Sequence, residues 1–202
     1  MVVGVAACAS EPTVVPVPTF PQAVATPTNG PAPAREAGHS LPADCEALVG
    51  HDELSALFGL PLGSVTVRTV QGTPSPSVGR LERMSCTYTV SSPAASPLQG
   101  VGLEITAGAY RDATAARDQH ERNVADERVG ASRATQPDLG DASATLVERD
   151  GQSVLLTSFD TVTLDLDLTR RPGPWSPADL LTDLARRGLA RVATEPSHDS
   201  AK

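Results

Sequence analysis

The sequence predicts an α+β domain, a mostly antiparallel sheet of about six strands packed with three to four helices, behind a disordered tether rich in Pro, Thr and Ala. Three observations lead there. Two blocks of alternating apolar residues flank a segment of helical period, and a strongly amphipathic segment closes the chain. The connections between successive strands are mostly too short for right-handed crossovers, which leaves antiparallel pairing. Residues 11–40 hold seven prolines and follow neither the helical nor the strand period.

A first helical stretch is expected at Pro42–Val49, with Cys45, Leu48 and Val49 on its inner face. A second short helix follows, with Asp52 at its N-cap, Gly59 just past its end, and Leu54, Leu57 and Phe58 presented inward. Strand patterns occupy Val65–Val70, Arg83–Val90 and Val101–Ala107. The Gly72–Ser77 and Ser91–Pro97 segments between them read as flexible hairpin loops. Arg111–Arg128 is helical, with Asp118 and Arg122 spaced i,i+4 on the wet side. Three further strands come at Ala142–Glu148, Ser153–Phe159 and Val162–Leu168, the last alternating Val162, Leu164, Leu166 and Leu168 with Thr163, Asp165 and Asp167. The final helix starts from Ser176 as N-cap with Pro177 at its first position and Asp179 completing a capping box. Its stripe of Leu181, Leu184, Ala185, Gly188, Leu189 and Val192 docks on the sheet. The two three-strand blocks show no residue-level repeat that would establish a duplication.

At 202 residues the chain is long enough for one well-filled domain plus a tail. Its 24 acidic against 16 basic residues give a formal charge of -8, the wrong sign for neutralising phosphates, so nucleic acid is excluded as a partner. Six aromatic residues (Phe20, Phe58, Tyr88, Tyr110, Phe159 and Trp175) are too few for a stacking platform. The single lysine is Lys202, and P-loop or Schiff-base chemistry would have to use the terminus.

The N-terminus carries a more specific signal. Val5-Ala6-Ala7-Cys8 matches the bacterial lipobox, in which the cysteine is acylated and becomes the new, also acylated, amino terminus. More than one acyl chain makes such an anchor stable. The seven residues before Cys8 hold neither a basic n-region nor a full apolar h-region, so the true initiator is expected upstream. The expected organisation is a signal remnant over 1–8, a disordered Pro-rich spacer over 9–40, one α+β domain over 41–193 and a disordered tail over 194–202. A spacer of this kind extends about 3.1 Å per residue and holds the domain away from a membrane. Acyl chains on Cys8 make that membrane a partner and put the protein on its extracytoplasmic face. In that oxidising compartment Cys45 and Cys86 pair, and the bridge contributes roughly 4 kcal/mol by the chain-entropy argument; in a cytoplasmic chain they are two buried thiols.

This layout resembles the actinobacterial secreted lipoproteins of unknown function that share a lipobox, a Pro-rich spacer and a compact disulfide-bonded α+β domain. The shared features are Cys45, then Leu54, Leu57, Phe58 and Gly59, then Cys86-Thr87-Tyr88. The likeness spans residues 42–192 in layout, though few positions carry it. Some such proteins are similar to the PsbP/Mog1-type sandwich and others to extracellular sensor domains of mycobacterial kinases. The latter usually carry a second disulfide, for which this chain has no cysteines. The resemblance implies no catalytic residues.

Chemistry-bearing motifs are sparse. The four histidines, His39, His51, His120 and His198, form no His-Glu-x-x-His, and with no Cys-x-x-Cys no metal or cofactor is expected. His120 falls on the buried side of its helix and reads as a core or boundary residue. No Gly-x-Ser-x-Gly elbow is present. Asp165 and Asp167 could contribute to a calcium site with Asp160, but the simpler reading is the water-facing side of a one-sided sheet. In Thr169–Trp175, Arg170 and Arg171 beside Trp175 form a candidate partner-binding surface, while Trp175 and Leu180 also fit a hydrophobic staple. The reading reached is a non-enzymatic, lipid-anchored extracytoplasmic binding or sensor-like domain for an unknown small molecule or cell-envelope protein. The alternatives are a small secreted hydrolase or enzyme accessory protein, or a structural or chaperone role in the envelope.

Overall fold

The computed structural model describes residues 40–61, 63–91, 102–169 and 176–194. Within these, the α+β class holds. Four α-helices, Cys45–Leu48 (α1), His51–Leu57 (α2), Ala113–Glu127 (α3) and Pro177–Thr194 (α4), accompany seven strands. The strands are Val65–Gly72 (β1), Arg80–Val90 (β2), Gly102–Tyr110 (β3), Arg133–Thr135 (β4), Ser143–Arg149 (β5), Gln152–Phe159 (β6) and Val162–Thr169 (β7). They form one antiparallel sheet in the order β1-β2-β3-β7-β6-β5-β4. The seventh strand, β4, has three residues and no alternation long enough to announce itself in sequence. The predicted Gly72–Ser77 loop includes the bridge partner Ser75 and leads into a single 3-10 turn at Pro76–Val78.

The sheet carries helices on both faces. Helices α1, α2 and α4 cover one face, on which Met84, Cys86, Tyr88, Ile105, Leu155, Leu164 and Leu166 are buried against Leu48, Leu54, Leu181 and Leu184. Burying a side chain of this size is worth about 1.5–3 kcal/mol, so this layer supplies most of the driving force. Glycine at position 188 lets α4 approach β7, because an added Cβ would lie 2.8 Å from Leu164 Cδ2. Helix α3 covers the other face through a far smaller apolar contact, Val124 on Val154 and Leu156.

One helix end departs from expectation. The N-cap of α2 is Gly50, which places Asp52 and Glu53 in the first turn, where their charge favours the helix dipole. Its far end is a Schellman motif: Gly59 (φ +67°) lets Leu60 N–H reach the Ser55 carbonyl at 2.7 Å while Gly59 N–H reaches Ala56 at 3.1 Å. Helix α3 starts at Asp112, whose side chain accepts from Ala115 N–H at 2.8 Å. Its Arg122 turns to Gln119 Oε1 at 3.1 Å, with Asp118 left on the exposed side.

Cys45 and Cys86 are joined by a disulfide with Cα atoms 5.5 Å apart, pinning α1 to the centre of β2. Tyr88, two residues along the same strand face, places its hydroxyl 2.9 Å from the carbonyl of Val49, the C-cap of α1, and 3.1 Å from that of Cys45, which also accepts from Val49 N–H at 2.9 Å. Arg191 of α4 donates to Leu48 O at 2.6 Å and to Glu53 Oε2 at 2.7 Å. Burial pushes Glu53 up, but hydrogen bonds from Arg191 and Arg187 outweigh it and hold the carboxyl below its ordinary value. The two shortest helices therefore hang on a covalent bond, one phenol and two guanidinium groups. Replacing both Cys45 and Cys86 by alanine is expected to lower unfolding free energy by about 4 kcal/mol, read from denaturant unfolding, with a steeper slope because the unfolded chain expands once the bridge is gone. An unchanged midpoint would mean that the bridge constrains nothing in the unfolded chain.

Candidate functional site: a polar cleft beneath helix α3

Helix α3 meets the sheet with two parallel stripes. Ala116, His120 and Val124 repeat at i, i+4 and i+8, and so do Gln119, Asn123 and Glu127. The first stripe is buried, while the second lines a cleft of about 410 Å³ between helix and sheet. The register of the sheet decides what lies opposite. Thr106 of β3 pairs with Asp165 of β7, Glu104 with Asp167, and Gly108 with Thr163, so the polar alternates of both strands share this face. Strand β2 adds Arg83 opposite Gly108, and Arg80 enters from its start.

The expected water-facing side of β7 is thus covered, and its aspartates are partly enclosed. Asn123 Nδ2 donates to Asp165 Oδ2 at 2.7 Å, and Gln152 Nε2 donates to Asp167 Oδ2 at 2.8 Å. Both residues keep some accessible surface, yet Oδ1 of each has neither surface nor a hydrogen-bond partner. The Arg80 Nε is buried and unpartnered as well. Burial pushes the Asp165 carboxyl up to about 7 against opposing hydrogen bonds from the Asn123 amide and the Thr157 backbone, and raises Asp167 in the same way against Gln152.

The floor of the cleft is shaped by Tyr110. A Cβ at Gly108 would lie 3.0 Å from Tyr110 Cε2, so the ring folds back over the glycine, and its hydroxyl hydrogen-bonds to Thr163. At the other end Glu127 accepts from Arg149 Nη1 at 2.6 Å, while Arg149 Nη2 also bonds the Glu127 carbonyl. This guanidinium closes the C-terminus of α3 and neutralises one acid of the cleft.

The remaining sequence-predicted residues lie elsewhere. His120 is 6% exposed, and burial lowers its pKa. It faces a separate cavity of about 600 Å³ beside Pro137 and Leu139, with Nδ1 unpartnered. Among the described residues no three His, Cys, Asp or Glu side chains converge as metal ligands would, and Asp160 does not line the cleft with Asp165 and Asp167. Cys8, Arg170, Arg171 and Trp175 lie outside the described residues. Gln119, Asn123, Arg80 and Arg83 were not singled out in sequence. The available signal was the four-residue spacing of 119, 123 and 127 beside an apolar stripe of the same spacing, on a helix otherwise too polar to dock.

No protein-family model matches the chain, and no curated protein matches it in sequence. Its fold is similar to that in the crystal structure of the extracellular domain of PknH from Mycobacterium tuberculosis, with a TM-score of 0.53 and 11% identity. The match covers 78% of this chain and 100% of that one. At that identity the likeness concerns the fold. Among the described residues, no helix is long and apolar enough to cross a membrane.

The buried carboxyl makes stability depend on pH with a definite sign. A folded-state pKa above the ordinary aspartate value means that the native state binds more protons than the unfolded one, so the stability associated with Asp165 falls as pH rises towards 7. His120 opposes this, since its lowered pKa makes stability rise with pH around 6.5. The Asp165→Asn variant isolates the first effect while keeping an acceptor for Asn123. Relative to the parent it is expected to gain about 2 kcal/mol between pH 5 and pH 8, measured by denaturant unfolding at both pH values. Parallel pH profiles for the two proteins would place the Asp165 carboxyl in an ordinary solvated environment.

Proposed function

We propose that this chain is a non-catalytic, extracytoplasmic binding domain of sensor-like type, anchored to a membrane through acyl groups on Cys8, with the cleft beneath α3 as its ligand site. One observation carries the choice of site: a cleft of about 410 Å³ in which two carboxylate oxygens and a guanidinium N–H are buried with no partner in the protein. Buried polar groups normally find partners, and leaving one unsatisfied costs about 1–3 kcal/mol, which a ligand of complementary chemistry can return as binding energy. The volume is that of a small-molecule site. The extracytoplasmic assignment draws support from the lipobox Val5-Ala6-Ala7-Cys8, the Pro-rich spacer, the Cys45–Cys86 bridge and the fold shared with an extracellular domain.

A second reading, a small secreted hydrolase, has one observation in its favour. Asp165, raised to about 7, is poised for acid–base chemistry. The cleft lining supplies no serine, cysteine or histidine beside it, and each aspartate is held by a side-chain amide instead. Arg170, Arg171 and Trp175, following β7, are assigned from sequence to a partner-facing surface.

Two measurements test the proposal in native cells. The parent protein is expected in the membrane fraction with a lipid-sized mass increment on Cys8, and the Cys8→Ala variant in the soluble fraction; equal distribution of the two would remove the anchor. Native mass spectrometry of the parent is expected to show a retained small molecule. That adduct is expected to disappear in Thr106→Trp, which fills the cleft from the middle of β3. An adduct that survives the filling would place the ligand site elsewhere, and one that is chemically altered over time would favour the hydrolase.

A further inference from the structure

We propose that the cleft takes a zwitterion of amino-acid type, a free α-amino acid or a dipeptide, with its ammonium seated at Asp165 and Asp167 and its carboxylate at Arg80 and Arg83. This rests on the reading of the cleft as the ligand site and adds the chemical class. The charges of the lining are separated along it. Acidic groups gather on β7, its neighbour Glu104 and the C-terminal half of α3, while the two arginines stand at the β2 side. Of the acids, Glu127 is already matched by Arg149. Among the described residues neither Asp165 nor Asp167 forms an ion pair; each is held by a neutral amide and keeps a free oxygen. A donor-rich cation completes both carboxylates. A metal ion is a poor fit, because no three ligand-type side chains converge.

The opposite end excludes a simple cation. Arg80 has a buried Nε in need of an acceptor, and Arg83 stands exposed on the next inward-facing position. Arg83 pairs with Gly108, which pairs with Thr163 next to Asp165, so arginine and aspartate are two strand spacings apart, roughly 10 Å laterally. A carboxylate and an ammonium about 3 Å apart, each extended by a hydrogen bond of about 2.8 Å, bridge that span once the arginine side chain reaches inward. Tyr110, folded over Gly108 between the two ends, offers a ring to the ammonium. A polyamine would meet the arginines with like charge, and a simple anion would meet the carboxylates.

Seating an ammonium favours the ionised form of Asp165, so binding releases protons near neutral pH and tightens from pH 5 to pH 8. The charged groups that line the cleft with Asp165 are Asp126 and Glu127 of α3, Glu104 of β3, Arg80 and Arg83 of β2 and Asp167 of its own strand. Glu127 is matched by Arg149, and binding leaves Arg83 charged throughout.

The test is isothermal titration of the full chain with L-alanine, L-lysine, L-glutamate and L-alanyl-L-alanine, beside methylammonium, acetate and glucose, in buffers of different ionisation heat. At least one zwitterion is expected to bind with proton release, and to lose at least tenfold in affinity in Asp165→Asn and in Arg83→Gln, both checked for an intact thermal transition. Arg83 is exposed, so its variant keeps the test valid should the buried substitution unfold the chain. Binding of methylammonium, acetate or glucose with no binding of any zwitterion overturns the class while leaving the cleft as a ligand site. Zwitterion binding unchanged in both variants also overturns the proposal, as does silence from all four zwitterions. The adduct experiment with Thr106→Trp decides the cleft itself independently.

Discussion

The pairing of β3 with β7 is the constraint on which the rest of this molecule depends. Every other strand contact joins neighbours in sequence through a turn or loop, whereas this one closes over α3, β4, β5 and β6. It joins two antiparallel meanders into one sheet, and its register sets Leu103 opposite Leu168 and Thr106 opposite Asp165. A slip of one residue would turn Asp165 and Asp167 into the large apolar layer and expel Leu164 and Leu166 from it. Such an exchange is far too costly for a domain of ordinary stability, so the apolar face enforces the placement of the polar one.

From that asymmetry comes the difference between the two helical layers. The layer of α1, α2 and α4 is closed by leucine packing, a disulfide and the Tyr88 hydroxyl. The layer of α3 touches the sheet through Val124, a few small residues and the Asn123–Asp165 hydrogen bond, and leaves a polar cleft along the stripe of Gln119, Asn123 and Glu127. A rigid layer thus backs a sheet whose other face keeps an unfilled polar cleft. Ligand sites are commonly built this way, with a few convergent polar groups held by a scaffold whose stability comes from elsewhere.

Much of the architecture was legible because it follows from period. The alternation of Val162, Leu164, Leu166 and Leu168 with Thr163, Asp165 and Asp167, and the stripe from Leu181 to Val192, leave little freedom for other elements. Element ends were less legible: Gly50 rather than Asp52 caps α2, and the His51 N–H at its start finds Glu46 Oε2 at 3.1 Å, a partner from the preceding helix. Strand β4 was invisible because three residues carry no period, and it exists by pairing Arg133–Thr135 with Leu146–Glu148.

The cleft belongs to the second kind of information. Sequence shows that Asp165 and Asp167 lie on the opposite side of β7 from its leucines, because side-chain alternation is a property of the strand alone. It does not show what covers that side, since α3 is too polar for its docking face to be read from hydrophobicity. Only the tertiary structure brings Asn123 to Asp165, Gln152 to Asp167 and Arg80 to the same cleft, through contacts between elements distant in the chain. Local pattern is set by covalent geometry and burial, and so the sequence by itself determined the class and the faces. Burial of a carboxyl without a cation depends on which surfaces meet, and that was decided by the closure of β3 onto β7 beneath α3.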